Sequence, residues 1–334
     1  MQRIIRICTL LLAVIALVAC GSTGPTDSGE SPSDQPLQRI TFALDWTPNT
    51  NHSGLFIARD QGYFAEEGLE VDLQQTDMAF IEMVGTGAAE FGIASQEQVL
   101  QARAASGQVP IVSIAAVLQH NTSGFASFPQ TGISTPSDFE GKTYAGWGTE
   151  LELAMIQTLM DADGADFDQV NIINQTATDF FAALETEADF VWIYYGWDGL
   201  SAELRGSPVD FMLLQDVDPD LDMYSPTIIT NEQVIADDPE LVERFLRAAA
   251  RGYAAAMADP QLAVDALLAE APELDETLVA ASQEYLNDYY VAQAARWGEM
   301  DPQRWTDFNA WMATNGLLES EVQPEDAYTN DFLP

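Results

Sequence analysis

Cysteine, histidine and lysine are almost absent from this chain. Its two cysteines, Cys8 and Cys20, both fall in the first 20 residues. The remainder therefore offers no disulfide, no zinc knuckle and no thiol nucleophile. Histidine occurs only as His52 and His120, and because a metal centre needs several convergent ligands, none is expected. Lys142 is the single lysine, and 12 basic residues stand against 53 acidic ones, a formal net charge of −41. Such a surface repels phosphate backbones and anionic head groups, which excludes nucleic acid as a partner. A phosphate, sulfonate or nitrate cargo would likewise find few cations to hold it. The acidity reads as a solvated surface suited to an extracytoplasmic or salty setting. No G-x-S-x-G elbow is present, and Gly85-Thr86-Gly87-Ala88-Ala89-Glu90 lacks the last glycine of a dinucleotide fingerprint. Acidic pairs are too common here for a glycosidase pair to stand out.

What is there starts with a signal. Arg3 and Arg6 precede an apolar run from Ile7 to Ala19, and Leu17-Val18-Ala19-Cys20 has the form of a bacterial lipobox. Residues 1–19 read as a signal peptide and Cys20 as the lipid-bearing residue; the run is short of the roughly 20 apolar residues of a spanning helix. Residues 20–36, rich in Gly, Ser, Thr, Pro, Asp and Glu with no aromatic residue, read as a flexible tether. The expected location is the extracytoplasmic face of the cell membrane, through that lipid.

From Leu37 onward short β-rich runs alternate with helical patterns, which predicts an α/β fold with largely parallel sheets. Strands are expected at residues 39–44, 70–73, 91–94 and 111–118, then at 143–147, 170–173, 190–194, 211–214 and 226–230. Helices are expected at 54–61, 80–84 and 96–105, at Thr149 onward with capping-box spacing to Glu152, and at 240–257, 261–269, 274–296 and 302–315. This order predicts two lobes joined by two crossings: residues 37–122 and 225–334 in the first, 123–224 in the second, with the late helices packed on the first. Ligand would lie in the cleft between lobes.

Ligands of open α/β sheets bind at the carboxyl ends of strands. There the first strand gives Asp45-Trp46-Thr47-Pro48-Asn49-Thr50-Asn51-His52. Trp46 is a candidate stacking plate. Asn49 and Asn51 serve either the turn around Pro48 or the ligand, and His52 either starts the helix or donates to cargo. Trp147 ends a strand, and Glu150 in the following helical turn is suited to accept from an amine, imide or hydroxyl. In the run from Trp192 to Asp198, Tyr195, Trp197 and Asp198 are the candidates for the cleft. Asp222 and Tyr224 either form the second crossing or touch cargo.

The sequence Asp45-Trp46-x-Pro48-Asn49-x-x-His52, followed by Ala58-x-x-x-Gly62-Tyr63-Phe64-x-x-Glu67-Gly68-Leu69, resembles the NMT1/THI5-like (SsuA/THI5-like) group. The resemblance continues through Ser134-Thr135-Pro136-Ser137-Asp138-Phe139-Glu140-Gly141-Lys142 and reaches Tyr328-Thr329-Asn330-Asp331-Phe332. It implies a type II periplasmic-binding-protein fold and a monomeric solute-binding component of an ABC importer, working with a permease. It further implies riboflavin or a thiamine pyrimidine precursor as cargo. The segment Gln74-Gln75-Thr76-Asp77-Met78-Ala79-Phe80 departs from the Pro-Ala-Asp run of the pyrimidine binders, so riboflavin is the first expectation. The group also contains pyrimidine-synthesising enzymes that use pyridoxal phosphate and consume an active-site histidine, at the position matched by His52. Their CCCFC segment is matched by Asp222-Met223-Tyr224-Ser225-Pro226-Thr227, without cysteine, and Lys142 does not lie where a Schiff base forms. A binding protein with no cofactor, not an enzyme, is expected.

Overall fold

The computed structural model describes residues 36–76, 78–173 and 180–334. The signal, the tether with Cys20, and Asp77 of the segment after the second strand lie outside the described residues. Leu37–Pro334 forms one compact unit.

Ten strands build two five-stranded sheets. The first contains β1 (Gln38–Leu44), β2 (Leu69–Gln75), β3 (Phe91–Ala94), β4 (Ile111–Ala116) and β10 (Thr227–Asn231), in the order β2-β1-β3-β10-β4. The second contains β5 (Ser123–Ser127), β6 (Thr143–Ala145), β7 (Asn171–Ile173), β8 (Phe190–Tyr194) and β9 (Asp210–Leu213), in the order β7-β6-β8-β5-β9. In each sheet a single strand is antiparallel to its neighbours: β10 in the first and β5 in the second. Those are the strands that follow a crossing, after β9 and after β4 respectively. Fully buried β3 and β4 are apolar apart from Ser113, whose hydroxyl is 2.8 Å from that of Thr227 on β10, as suits strands covered on both faces.

Helix Ser53–Asp60 covers the first sheet and is itself covered by helices Pro239–Ala258 and Pro260–Glu270. Asp238 caps the long helix by accepting from the Leu241 N–H at 3.0 Å, with Pro239 in its first turn. Gly252 lets it approach the shorter helix closely, since a Cβ there would strike the Gly54 carbonyl. The aromatic centre of this lobe is Phe245, stacked on Phe42, Phe64 and Phe91.

Two expectations from the sequence are corrected. The apolar pattern over 274–296 predicts one helix, but the helix is Glu276–Asn287. Beyond it, the Tyr290 hydroxyl donates to Thr50 O at 2.7 Å and Tyr289 O accepts from Gln119 N at 2.7 Å. Ala292 adopts φ +44°. Contacts to distant segments thus outweigh helix propensity. Nor do the late helices all stay on the first lobe. Helix Glu276–Asn287 meets the turn after β8, where the rings of Tyr285 and Tyr195 are 5.5 Å apart. From helix Pro302–Thr314, Trp311 Nε1 donates at 3.1 Å to Thr158 on the second lobe's helix Glu150–Asp163.

Candidate functional site

The carboxyl ends of β1, β3, β6 and β8 face the junction of the two sheets. After β1, the turn that holds the first candidates is closed on itself. Asn49 Oδ1 accepts from Asn51 N at 2.9 Å and Asn49 Nδ2 donates to Thr47 O at 3.0 Å. His52 Nδ1 accepts from Asn49 N at 3.2 Å, so the neutral ring carries its proton on Nε2 and donates to Asp45 Oδ1 at 2.9 Å. His52 is fully buried. Both nitrogens are spent on the turn, which makes this imidazole a brace for Asp45 rather than a surface for cargo. Asn49 is likewise a capping residue, while Asn51 engages through its backbone: its carbonyl accepts from Tyr253 Oη at 2.7 Å.

Trp46 projects from this braced turn with 49% of its surface exposed, and Trp147, after β6, is 45% exposed. Their rings meet edge to face, 5.8 Å between centroids at 86°. One indole belongs to each lobe, so the pair bridges the junction. A braced scaffold holds Trp147 as well. The buried Glu152 accepts from Tyr144 Oη (2.6 Å), Trp147 N (2.8 Å), Thr149 N (3.1 Å) and Thr149 Oγ1 (2.6 Å). Gly146 is required beneath it, because a Cβ would collide with the Glu152 carboxylate and the Tyr144 hydroxyl. Glu150, in contrast, is exposed at the helix start.

The aromatic run on β8 divides between faces, as alternation requires. Trp192 and Tyr194 lie on one face with ring centroids 5.7 Å apart. Tyr194 Oη is 3.2 Å from Ser225 Oγ in the second crossing. Burial, and then the charges of Glu97, Asp45 and Asp198, hold the Tyr194 phenol well above its ordinary pKa, so it is a neutral hydroxyl among acids. Tyr195 points the other way. It pairs with Glu203 and packs on Phe211 and Tyr285; burial, with Glu203, pushes its phenol up to about 12. Trp197 packs against the first lobe's apolar core. Asp198 therefore stays with Tyr194, whereas Tyr195 and Trp197 join the lobes outside that face.

Asp222 and Tyr224 form the crossings. Asp222 accepts from His120 Nδ1 (2.7 Å), Asn121 N (2.8 Å) and Arg304 (3.0 Å), tying the first crossing to the second. Tyr224 is buried and exchanges backbone and side-chain hydrogen bonds with Gln96.

Sequence reasoning missed Glu97, Trp192 and Tyr194. Glu97 sits in the first turn of helix Gln96–Ala104, directly after β3. It is 8% exposed, and burial raises its carboxyl pKa. A glutamate in an acid-rich chain gives no signal by itself; its place after a fully apolar strand end was the available clue. Among the described residues no three metal-ligating side chains gather, and no helix is long and apolar enough to cross a membrane.

Residues 49–263 match the family described as NMT1/THI5 like. The chain belongs to that family. A formylaminopyrimidine-binding protein of Halalkalibacterium halodurans is 27% identical over 97% of this chain and 98% of its own. The riboflavin-binding protein RibY of Chloroflexus aurantiacus is 26% identical over 99% of this chain and 98% of its own. A 4-amino-5-hydroxymethyl-2-methylpyrimidine phosphate synthase of Legionella pneumophila is 26% identical over 89% and 92%. The fold is shared with the periplasmic aliphatic sulphonate binding protein SsuA of Escherichia coli, at TM-score 0.69 and 13% identity, covering 86% of this chain and 91% of that one. The family thus holds both binding proteins and synthases, and the fold is one shared with a periplasmic binding protein.

Proposed function

We propose that this protein is the solute-binding component of an ABC importer, anchored through Cys20, and that it captures a flat heterocyclic vitamin or vitamin precursor for its permease. The observation that carries this reading is the pair Trp46 and Trp147, two half-exposed indoles on opposite lobes at the sheet ends. A planar ring entering the junction would replace their mutual contact with stacking on both sides. Asp45, which precedes Trp46, lies with Glu97 and Asp198 within electrostatic reach of the Tyr194 hydroxyl, a group of acceptors with no cationic side chain among them. Riboflavin is the first reading, because its tricyclic ring covers two indoles and its imide and hydroxyl groups donate to carboxylates. A thiamine aminopyrimidine is the second, favoured by the same acids, which suit an amino edge.

The synthase chemistry finds little support. His52 is locked between Asp45 and Asn49, and the only lysine donates to Thr131 O at 2.7 Å. The test is a titration of riboflavin fluorescence with the purified protein, beside calorimetry with 4-amino-5-hydroxymethyl-2-methylpyrimidine. Quenching at low micromolar protein supports riboflavin; unchanged emission with calorimetric binding of the pyrimidine would move the assignment to the second reading. Turnover of either compound would establish an enzyme instead.

A further inference from the structure

Among the described residues five buried polar side-chain atoms have no hydrogen-bond partner: Trp297 Nε1, Trp305 Nε1 and Asn309 Oδ1, and the two that concern the cargo, Glu97 Oε2 and Trp192 Nε1. The last two come from opposite lobes, one from the helix start after β3 and the other from β8. Tyr194 links them, since its ring lies 5.7 Å from that of Trp192 and its hydroxyl lies within electrostatic reach of Glu97. A buried carboxyl oxygen left unpaired is costly, more so when charged. Native folds carry few such groups, and a bound molecule that supplies the missing partner is one explanation for each. Helix capping does not account for it. The carboxyl group does interact with Ser95 and the backbone at Glu97 and Gln98, yet Oε2 remains without a partner.

We infer that Glu97, with Trp192, is the specificity-determining pair for this protein's cargo, reading a ring edge on which an N–H donor adjoins an acceptor. Glu97 Oε2 accepts from the ring's N–H, and Trp192 Nε1, which can only donate, meets the neighbouring oxygen or ring nitrogen. Trp46 and Trp147 then supply area, and the buried pair supplies discrimination. A hydrogen-bonding site rejects a ring lacking that edge far more strongly than an apolar slot could, because the rejected ring leaves both atoms unpaired. Trp192 and Glu97 come from opposite lobes, so reading of the edge would be coupled to closure. The inference rests on the heterocycle-binding reading above and deepens it.

The experiment compares two cargoes with their N-methylated counterparts: riboflavin with 3-methylriboflavin, and the aminopyrimidine with its 4-dimethylamino analogue. Each is titrated into wild type, Glu97→Gln and Trp192→Phe. Gln retains an oxygen for Ser95 and the helix start, and near-ultraviolet circular dichroism and melting temperature are expected to match wild type. The expected result is that Glu97→Gln weakens the unmethylated cargo about tenfold or more, and that methylation weakens wild type similarly. The methylated compound should then bind Glu97→Gln no worse than it binds wild type, because mutation and methylation remove one contact. Equal binding of the unmethylated cargo by Glu97→Gln and wild type would overturn the inference and leave the cargo class standing. So would equal weakening of methylated and unmethylated compounds, the mark of a merely structural role. If wild type binds neither cargo, the heterocycle reading falls and this assignment falls with it.

Discussion

At the scale of single residues, the junction separates side chains that brace from side chains left free. His52 and Glu152 each satisfy several backbone or side-chain partners, and each holds a tryptophan in the position that sequence spacing assigns to cargo. Trp46→Ala is expected to cost about 1 kcal/mol of cargo binding, roughly fivefold in Kd, the scale of one aromatic contact. Calorimetry on a variant of unchanged circular dichroism checks it, and unaltered affinity would remove Trp46 from the site. Gly146→Ala should destabilise the fold by about 1–3 kcal/mol, the usual cost of forcing atoms into a filled space; a change in unfolding free energy from urea titration below about 0.5 kcal/mol, within the ordinary range for surface substitutions, would mean that the Glu152 brace yields. The sequence showed Thr149 and Glu152 as a capping pair and placed Trp46 and Trp147 at strand ends. It could not tell Tyr194 from Tyr195 in function, because alternation states only that they face opposite ways.

At the scale of elements, the two crossings are tied together by a cluster of charged side chains. His120 on the first donates from Nδ1 to Asp222 on the second, while Arg304 of helix Pro302–Thr314 holds the same carboxylate. The bond to Asp222 raises the His120 pKa above its ordinary 6.5, against the opposing effects of burial and the Arg304 charge. A histidine that holds its proton more tightly when folded contributes stability that is complete below the unfolded pKa and fades as pH rises through the folded one. His120→Gln should therefore be less stable than wild type by at most about 1 kcal/mol below pH 6.5, given the partial solvent screening. That difference should vanish at alkaline pH. Parallel urea titrations across the range measure it, and a constant difference would show that the proton has no part. Strand positions and most helices were legible as periodic runs. The early end of the helix at Asn287 was not, because it is set by Tyr289 and Tyr290 reaching Gln119 and Thr50, partners remote in sequence.

At the scale of the whole molecule, the lobes are joined by more than the crossings. Tyr285 against Tyr195, Trp311 on Thr158 and Trp46 against Trp147 all span them. Removing one such contact should shift the population toward a more open form and lower apparent affinity by the fraction of closed molecules lost. Tyr285→Ala is expected to enlarge the cargo-free radius of gyration in small-angle scattering and to weaken binding. An unchanged radius together with unchanged affinity would show that this contact does not hold the lobes together.

The sequence by itself determined the α/β alternation, the crossings, the scarcity of cations and the absence of thiols beyond Cys20, since these follow from composition and local period. Tertiary structure alone decided which acids are braced and which are left unpaired. Glu97 and Glu152 are both glutamates in the first turn of a helix after a strand, and only the atoms gathered around them pair both oxygens of Glu152 and leave Glu97 Oε2 without a partner. Hydrogen-bond satisfaction depends on neighbours from other segments, and no local pattern encodes it.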